Sequence, residues 1–394
     1  MGSAGTKSLF LCDVCTSITD GSHNPPVGVQ DSAYRMLSSK NVYDDNITLE
    51  DPRYITKSQF CVEDRRTQIS PGDVLFTIVG TVGRAAVVPD DFPRICLQRS
   101  VAVLKPNTKL IASRFLMYQL FAMRPYFEDQ ARGVAQRGIY LKQLSAFALR
   151  YLPPLPAQRR IAATLDRICE LKKNAETRLA KLDLIVKSRF VEMFGDMRIN
   201  SQEWAVSSLG DMILHANNGL SRRGSDENGN IVLRIVELRD GYIDYTCPNR
   251  IRLTEKEGKR YLLEDGDFLF VRVNGNPVNV GRCAFFRAIE EPVYHNDHII
   301  RVRFNKEIDP QYLSHILNGS YGKDQIRSKV KTSAGQYTIS QDGLGEIVIP
   351  VPPLAIQREF AAFVEKVEKL KEIAKRSAEQ MDVLYRSKLQ EYFG

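Results

Sequence analysis

The chain has 394 residues, 43% of them hydrophobic, and a formal net charge of +8. That length calls for two domains or more. No apolar run approaches the roughly 18 residues of a membrane span and no charged-then-apolar leader opens the chain, so the reading is a cytoplasmic protein with no membrane partner. Seven scattered cysteines exclude a disulfide framework, and Cys12-x-x-Cys15 lacks the second pair that a metal site needs.

The first segment, 1–152, carries Asp20-Gly21-Ser22-His23-Asn24-Pro25 near its start. Gly72-Asp73-Val74-Leu75-Phe76 reads as a turn leading into a buried strand, with Val82-Gly83-Arg84 at the far end of that hairpin-like unit. A further alternating strand is expected near 98–103, and a helix from Ser113 to Gln130. The segment 153–195 then reads as one long helix. It starts at Pro153-Pro154-Leu155-Pro156-Ala157-Gln158-Arg159 and ends at Phe194-Gly195, where the glycine fits a C-cap. Ile161, Leu165, Ile168, Leu171 and Leu182 fall on one stripe at steps of three and four.

The segment 196–351 repeats the first loosely: Gly266-Asp267-Phe268-Leu269-Phe270, Val280-Gly281-Arg282, a strand near 296–301 and a helix from Pro310 to about Ser328. The last segment, 352–394, repeats the long helix closely. Pro352-Pro353-Leu354-Ala355-Ile356-Gln357-Arg358 and Phe393-Gly394 return at a constant shift of 199. At that shift the stripe becomes Phe360, Val364, Val367, Leu370 and Met381. Each helix would be about 37 residues and about 55 Å long at 1.5 Å per residue. A stripe so narrow and long finds its natural partner in the other copy. The organisation is globular, helix, globular, helix, and twin scaffolds with divergent surfaces suit a bipartite target with unequal halves.

Charge is local. The helical segments hold 9 Lys/Arg against 5 Asp/Glu and 8 against 7, so the globular parts are nearly neutral. Between Gln130 and Leu165 no acidic residue occurs, whereas Arg132, Arg137, Lys142, Arg150, Arg159 and Arg160 do. In the second half Lys323, Arg327, Lys329 and Lys331 precede Gln336. Two basic loops at matching places suggest two contacts on one polyanion, and Arg and Gln are the side chains that read guanine and adenine edges bidentately. The candidate DNA contacts are Arg84, Gln136, Arg137 and Lys142 in the first domain, and Arg272, Asn274, Arg282, Lys329, Lys331 and Gln336 in the second. Lys and Arg to phosphate would give register; Gln, Asn and Arg to base edges would give sequence. Arg222 and Arg223 are further polar candidates.

No catalytic constellation emerges. Asn24-Pro25-Pro26-Val27 has Val27 where an adenine methyltransferase needs a stacking aromatic, and Glu257-Gly258-Lys259 has nuclease-like spacing without a preceding Pro-Asp. There is no phosphate-binding GxxxxGK[ST] loop and no paired-histidine metal motif. The chain is read as non-catalytic, with no cofactor and no metal of its own.

The whole length resembles the specificity subunits of type I restriction–modification systems. The residues that carry the resemblance are the Asp20-Gly21-Ser22-His23-Asn24-Pro25 opening, the glycine-aspartate strands at 72–83 and 266–281, and the paired PPLxxQR helices ending in Phe-Gly. Two departures are Ala157 and Ile356, where many members carry Glu, and Asn218-Gly219-Leu220-Ser221 in place of a second Asp-Gly-Ser-His. The resemblance implies an α+β chain of two similar α/β target-recognition domains, 1–152 and 196–351, in tandem with two long helices that form an antiparallel, pseudo-twofold coiled coil. It implies double-stranded DNA as ligand, read at a bipartite asymmetric site with a spacer of roughly 5–8 base pairs. Two methyltransferase (M) subunits and restriction (R) subunits would be the partners, bringing S-adenosylmethionine, ATP and magnesium. Two other arrangements fit the same residues: the specificity chain of a related system with methylation and cleavage on one fused partner, and a scaffold holding two protein-binding modules.

Overall fold

A computed structural model describes residues 9–131, 138–333 and 335–394. The chain forms two compact units, one running up to Glu176 and including Lys375–Gly394, the other Thr177–Ala374. Each unit therefore combines a globular segment with half of each long helix.

In the first unit a four-stranded antiparallel sheet runs in the order Cys15–Asp20, Val101–Pro106, Val74–Thr77, Ala85–Val87. Side chains of the central strands alternate between two buried faces. Val74, Phe76, Ala102 and Leu104 join one core with Phe115, Tyr118, Leu165 and Phe393, whereas Leu75, Val101 and Val103 join another with Leu37, Ile95 and Leu97. The second face is covered by a small sheet in the order Arg53–Ile55, Tyr34–Leu37, Ile95–Leu97, its last pair parallel. A strand buried on both faces must be apolar throughout, which is why Val-Leu-Phe-Thr follows Gly72-Asp73.

The second unit repeats this plan. Its main sheet is Ile213–Asn218, Ile299–Phe304, Phe268–Val271, Cys283–Phe285, and its small sheet is Arg250–Ile251, Asn230–Leu233, Val293–His295. Register is kept as well: Thr19 faces Val103 as Asn217 faces Arg301. The glycine-aspartate turns are alike in detail. Gly72 and Gly266 adopt φ of 84° and 87°, which favours glycine. The next carboxylates are buried: Asp73 accepts from Ser70 N–H (2.9 Å) and Lys105 Nζ (2.6 Å). Asp267 accepts from Glu264 N–H (2.8 Å) and Arg303 Nε (2.7 Å).

The helices expected from Ser113 to Gln130 and from Pro310 to about Ser328 are each broken in two. They run Ser113–Ala122 and Arg124–Gln130, and Pro310–Asn318 and Ser320–Lys329. Pro125 has no N–H to continue the first ladder, and Gly319 is extended (φ −71°, ψ 169°) between the second pair.

The long helices span Leu155–Phe194 and Leu354–Phe393, 40 residues each, and Gly195 at φ 74° terminates the first. Their pairing is antiparallel: within the second unit Asp183 meets Lys371 (2.7 Å) and Arg189 meets Glu359 (2.9 Å), and within the first Lys172 meets Asp382 (2.7 Å). Leu165, Ile168, Phe360, Val364 and Val367 are buried, and Ile161, Leu182 and Met381 are half-buried. The apolar ends fuse with each globular core, Phe393 against Phe115 and Phe194 against Tyr312 and Phe360. Leu171 and Leu370, which steps of three and four also place on the stripe, are instead exposed, as are Leu184 and Ile185 with their counterparts Val383 and Leu384.

The PPLxxQR glutamine has a specific job. Gln158 is fully buried; its Nε2 donates to Pro153 O (2.8 Å) and Leu110 O (2.9 Å), and its Oε1 accepts from Ala112 N–H (2.9 Å). Gln357 does the same with Pro352 O (2.7 Å), Glu307 O (3.4 Å) and Asp309 N–H (2.8 Å). Each ties the start of a long helix to a distant loop, the one that leads into the helix at Ser113 or at Pro310.

Candidate nucleic-acid interface

The opening motifs of the two units occupy matching positions. Ser22 bridges Gln98 and Leu220 bridges Asn296, both in parallel sense. A Cβ on Gly21 would lie 2.1 Å from Leu97 O, and one on Gly219 would lie 2.1 Å from His295 O. Glycine is required there by backbone approach, whatever the flanking side chains do. Those differ: Asp20 is buried and accepts from Arg66, with His23 Nε2 at 2.8 Å. Asn218 is exposed, and beyond it Arg223 donates to Ser221 O (3.1 Å), Asp297 (2.7 Å) and His298 Nε2 (3.1 Å).

Glu257, the acid of the nuclease-like triplet, is the partner of Arg222 (3.0 Å) and completes the cap on Thr254 (2.9 Å to its N–H). Arg222, then the Thr254 backbone, holds its carboxyl down at about 2. Lys259 pairs with Glu255 instead. Burial, then Cys12, pushes the Cys15 thiol up to about 12, and all seven cysteines are free. Among the described residues no three His, Cys, Asp or Glu side chains cluster as a metal site. No helix among them is long and apolar enough to cross a membrane.

Most of the remaining candidates gather at one edge of each unit, where the turn leaving the central strand meets the segment before the last short helix. In the first unit Val79 bridges Gly138, and Ile139 N–H donates to Ile78 O (2.8 Å). This joins the 78–84 turn, with Arg84, to the helix Leu141–Ser145, where Lys142 is exposed. Gln136 and Arg137 lie outside the described residues. In the second unit the same junction is a three-stranded sheet, Val273–Asn274, Gln336–Thr338, Lys331–Ser333. Asn274 stands opposite Tyr337, and Lys331 opposite Thr338. Ile339 N–H donates to Arg272 O (3.0 Å), matching the Ile139 bond.

Thus Arg272, Asn274, Lys331 and Gln336 converge although some sixty residues separate the two segments. Lys331 and Gln336 are exposed. Arg272 Nε donates to Asp297 O (2.8 Å), which links this edge to the Arg223–His298 cluster. Asn274 Oδ1 accepts from Asn276 N–H (2.9 Å) and so shapes its own turn. Arg282 donates to Asn279 (2.6 Å) and pairs with Asp240 (3.3 Å), and Lys329 pairs with Glu346 (2.8 Å). The sequence did not single out Tyr43, whose ring lies under Arg84, or exposed Tyr140. Tyr43 follows Val42 and precedes Asp44 with no basic residue beside it, whereas Tyr140 lies between Arg137 and Lys142, a local signal that could have found it.

Two segments of the chain, 29–184 and 201–381, match the type I restriction modification DNA specificity domain. The chain is 31% identical over 233 residues to the StySPI specificity subunit of Salmonella potsdam, a stretch covering 56% of this chain and 50% of that one. It is 24% identical over 364 residues to the EcoKI specificity subunit of Escherichia coli K12, covering 87% and 76%. The match thus spans half the length of the Salmonella relative and about three quarters of the other. In fold it is similar to the type I restriction–modification S subunit from M. genitalium, with a TM-score of 0.61 at 15% identity over 100% of this chain and 98% of that one. A chain from a structure of complex assembly in the type I system gives 0.59 at 17%, with the same coverage. With its specificity domain present twice, each copy built on the same strand order, the chain belongs to the type I restriction–modification specificity family.

Proposed function

We propose that this chain is the DNA-reading, non-catalytic subunit of a type I restriction–modification complex. Each unit reads one half of an asymmetric bipartite site, and the long helices set a spacer of roughly 5–8 base pairs. The observation that carries this reading is the pair of matching edges, joined by the equivalent bridges Val79–Gly138 and Val273–Thr338 and different in side chains: Arg84 and Lys142 on one, Arg272, Asn274, Lys331 and Gln336 on the other. A duplicated frame with divergent polar edges is what two unequal half-sites require, since base contacts specify while phosphate contacts position. Arg272 and Gln336 are assigned to bases, Lys142 and Lys331 to phosphates.

Two methyltransferase subunits dock on the outward apolar residues of the helix pair, which recur at Leu171 and Leu370, Leu184 and Val383, Ile185 and Leu384. They bring S-adenosylmethionine and flip the target adenines out of the stack, and restriction subunits add ATP-driven cleavage. The test is to co-express the chain with the methyltransferase encoded beside it and map methylated adenines across the host genome. One asymmetric motif with a fixed gap is expected. Methylation that is absent, or unchanged when this chain is omitted, would overturn the assignment.

A further inference from the structure

We infer that Arg84, seated over the Tyr43 ring, is a guanine-reading side chain of the first unit. The assignment rests on the DNA-reading function above and names one contact within it.

The position is braced from several directions. Arg84 N–H donates to Thr77 Oγ1 (2.9 Å), and its carbonyl accepts from Thr77 N–H (2.9 Å). Its guanidinium carbon lies 4.8 Å from the Tyr43 ring centroid, the closest cation–aromatic contact among the described residues. Tyr43 belongs to a small hairpin, Val42–Tyr43 with Asn46–Ile47, whose tip is Asp44-Asp45. That tip is clamped. Arg124 donates to Asp44 (2.5 Å) and to Gly83 O (3.1 Å), so one side chain fixes the residue after Tyr43 and the residue before Arg84. Arg114 holds Asp45 together with Asp166, and Asp45 N–H donates to Ala85 O (2.9 Å).

The three arginines differ in what they have left to offer. Arg114 and Arg124 are committed to carboxylates and a carbonyl. The Arg84 guanidinium makes no hydrogen bond and no ion pair among the described residues, so its planar fork of donors is free. A fork seated over an aromatic ring and with its donors unused suits a planar pair of acceptors. Two such pairs exist on DNA, the O6/N7 edge of guanine and the oxygens of a phosphate.

Local charge decides between them. Asp44, Asp45 and Asp166 balance Arg84, Arg114 and Arg124, so the patch has little net attraction for an anion. A neutral base edge needs only the fork, held in place by the ring beneath it. The aligned Arg282 in the second unit is spent on Asn279 and Asp240, so the contact belongs to the first half-site alone.

The test uses the full chain in complex with its methyltransferase partner, with the site known from the methylation map. Binding is measured to the cognate duplex and to duplexes carrying 7-deazaguanine, which lacks N7, at each guanine of the first unit's half-site. Arg84→Lys keeps the charge and loses the fork. It should weaken cognate binding about 10-fold or more, and Tyr43→Leu should weaken it less. One 7-deazaguanine position should weaken the wild type similarly and leave Arg84→Lys nearly unaffected. Thermal melting should change little for Arg84→Lys, which removes no hydrogen bond or ion pair and keeps a cation over Tyr43. Cognate binding by Arg84→Lys equal to wild type overturns the assignment. So does Arg84→Ala weakening cognate and unrelated duplexes alike while lowering the salt slope by about one, the mark of a phosphate contact. A wild-type complex with no sequence preference overturns the DNA-reading function itself, and this contact with it.

Discussion

Gln357 offers the sharpest check on how the helix ends are held. Replacing it with Met keeps length and volume but removes the donor shared by Pro352 O and Glu307 O and the acceptor for Asp309 N–H, all in a fully buried place. A buried backbone group left without a partner costs about 1–3 kcal/mol. Two of the three bonds are short and one is long at 3.4 Å, so the expected loss is about 3 kcal/mol. The chain has one tryptophan, Trp204, whose Nε1 donates to Phe194 O (3.2 Å) in the same unit. Its fluorescence therefore reports that unit's unfolding. With a urea dependence of about 2 kcal/mol per molar, Gln357→Met should lower the Trp204 midpoint by about 1.5 M. The matched Gln158→Met should leave the Trp204 transition nearly in place while destabilising the first unit by circular dichroism. A shift below about 0.5 M for Gln357→Met would refute the argument that this glutamine satisfies the helix start.

Gly219→Ala places a Cβ 2.1 Å from His295 O, and backbone must move; a loss of at least about 2 kcal/mol is expected in the same urea assay. Gly275→Ala meets nothing within 4 Å and should stay within about 0.5 kcal/mol of wild type. Burial, then Arg301, holds His295 down at about 4, and burial, then Lys371 and Lys187, does the same to His315. Both are neutral in the folded unit while the unfolded chain takes up protons below about 6.5, so stability is full above that pH and is lost as pH falls toward 4. Each histidine contributes up to about 1.4 kcal/mol per pH unit in that window, and His295→Leu should flatten the Trp204-detected slope by one proton. Lys331→Ala, at the exposed end of the three-stranded sheet, should weaken binding to all duplexes alike and reduce the salt slope by about one; loss confined to the cognate site would reassign it to a base.

The frame was legible because its constraints are local or repeated. The seam shows at steps of three and four and again at a shift of 199, and the glycine-aspartate turns show because only glycine adopts their φ readily. The helix breaks at Pro125 and Gly319 carried local signals that the surrounding helical periodicity outweighed. The role of Gln158 was not legible. Besides nearby Pro153 O its partners sit at 110 and 112, and a residue cannot announce a hydrogen bond to a loop 46 positions away. The same holds at the edges. Arg84, Arg272 and Gln336 could be flagged by type, but the ring beneath Arg84 and the sheet joining Asn274 to Gln336 come from tertiary pairing.

What the two units share and what they vary follow different energetic rules. Gly21 and Gly219 face backbone at 2.1 Å, Asp73 and Asp267 fill equivalent buried bonds, and Gln158 and Gln357 satisfy the same three kinds of backbone group. Changing any of these costs kilocalories, so the duplicated frame resists drift. At the aligned edges a substitution away from such features costs within about 0.5 kcal/mol. Arg84 and Arg282 show the consequence: the residue type is retained and the partners have changed, one lying free on Tyr43 and the other drawn into Asn279 and Asp240. A scaffold whose interior pins the backbone while its edge is nearly neutral to exchange can change what it reads without changing how it folds, and two such edges on one chain can diverge independently.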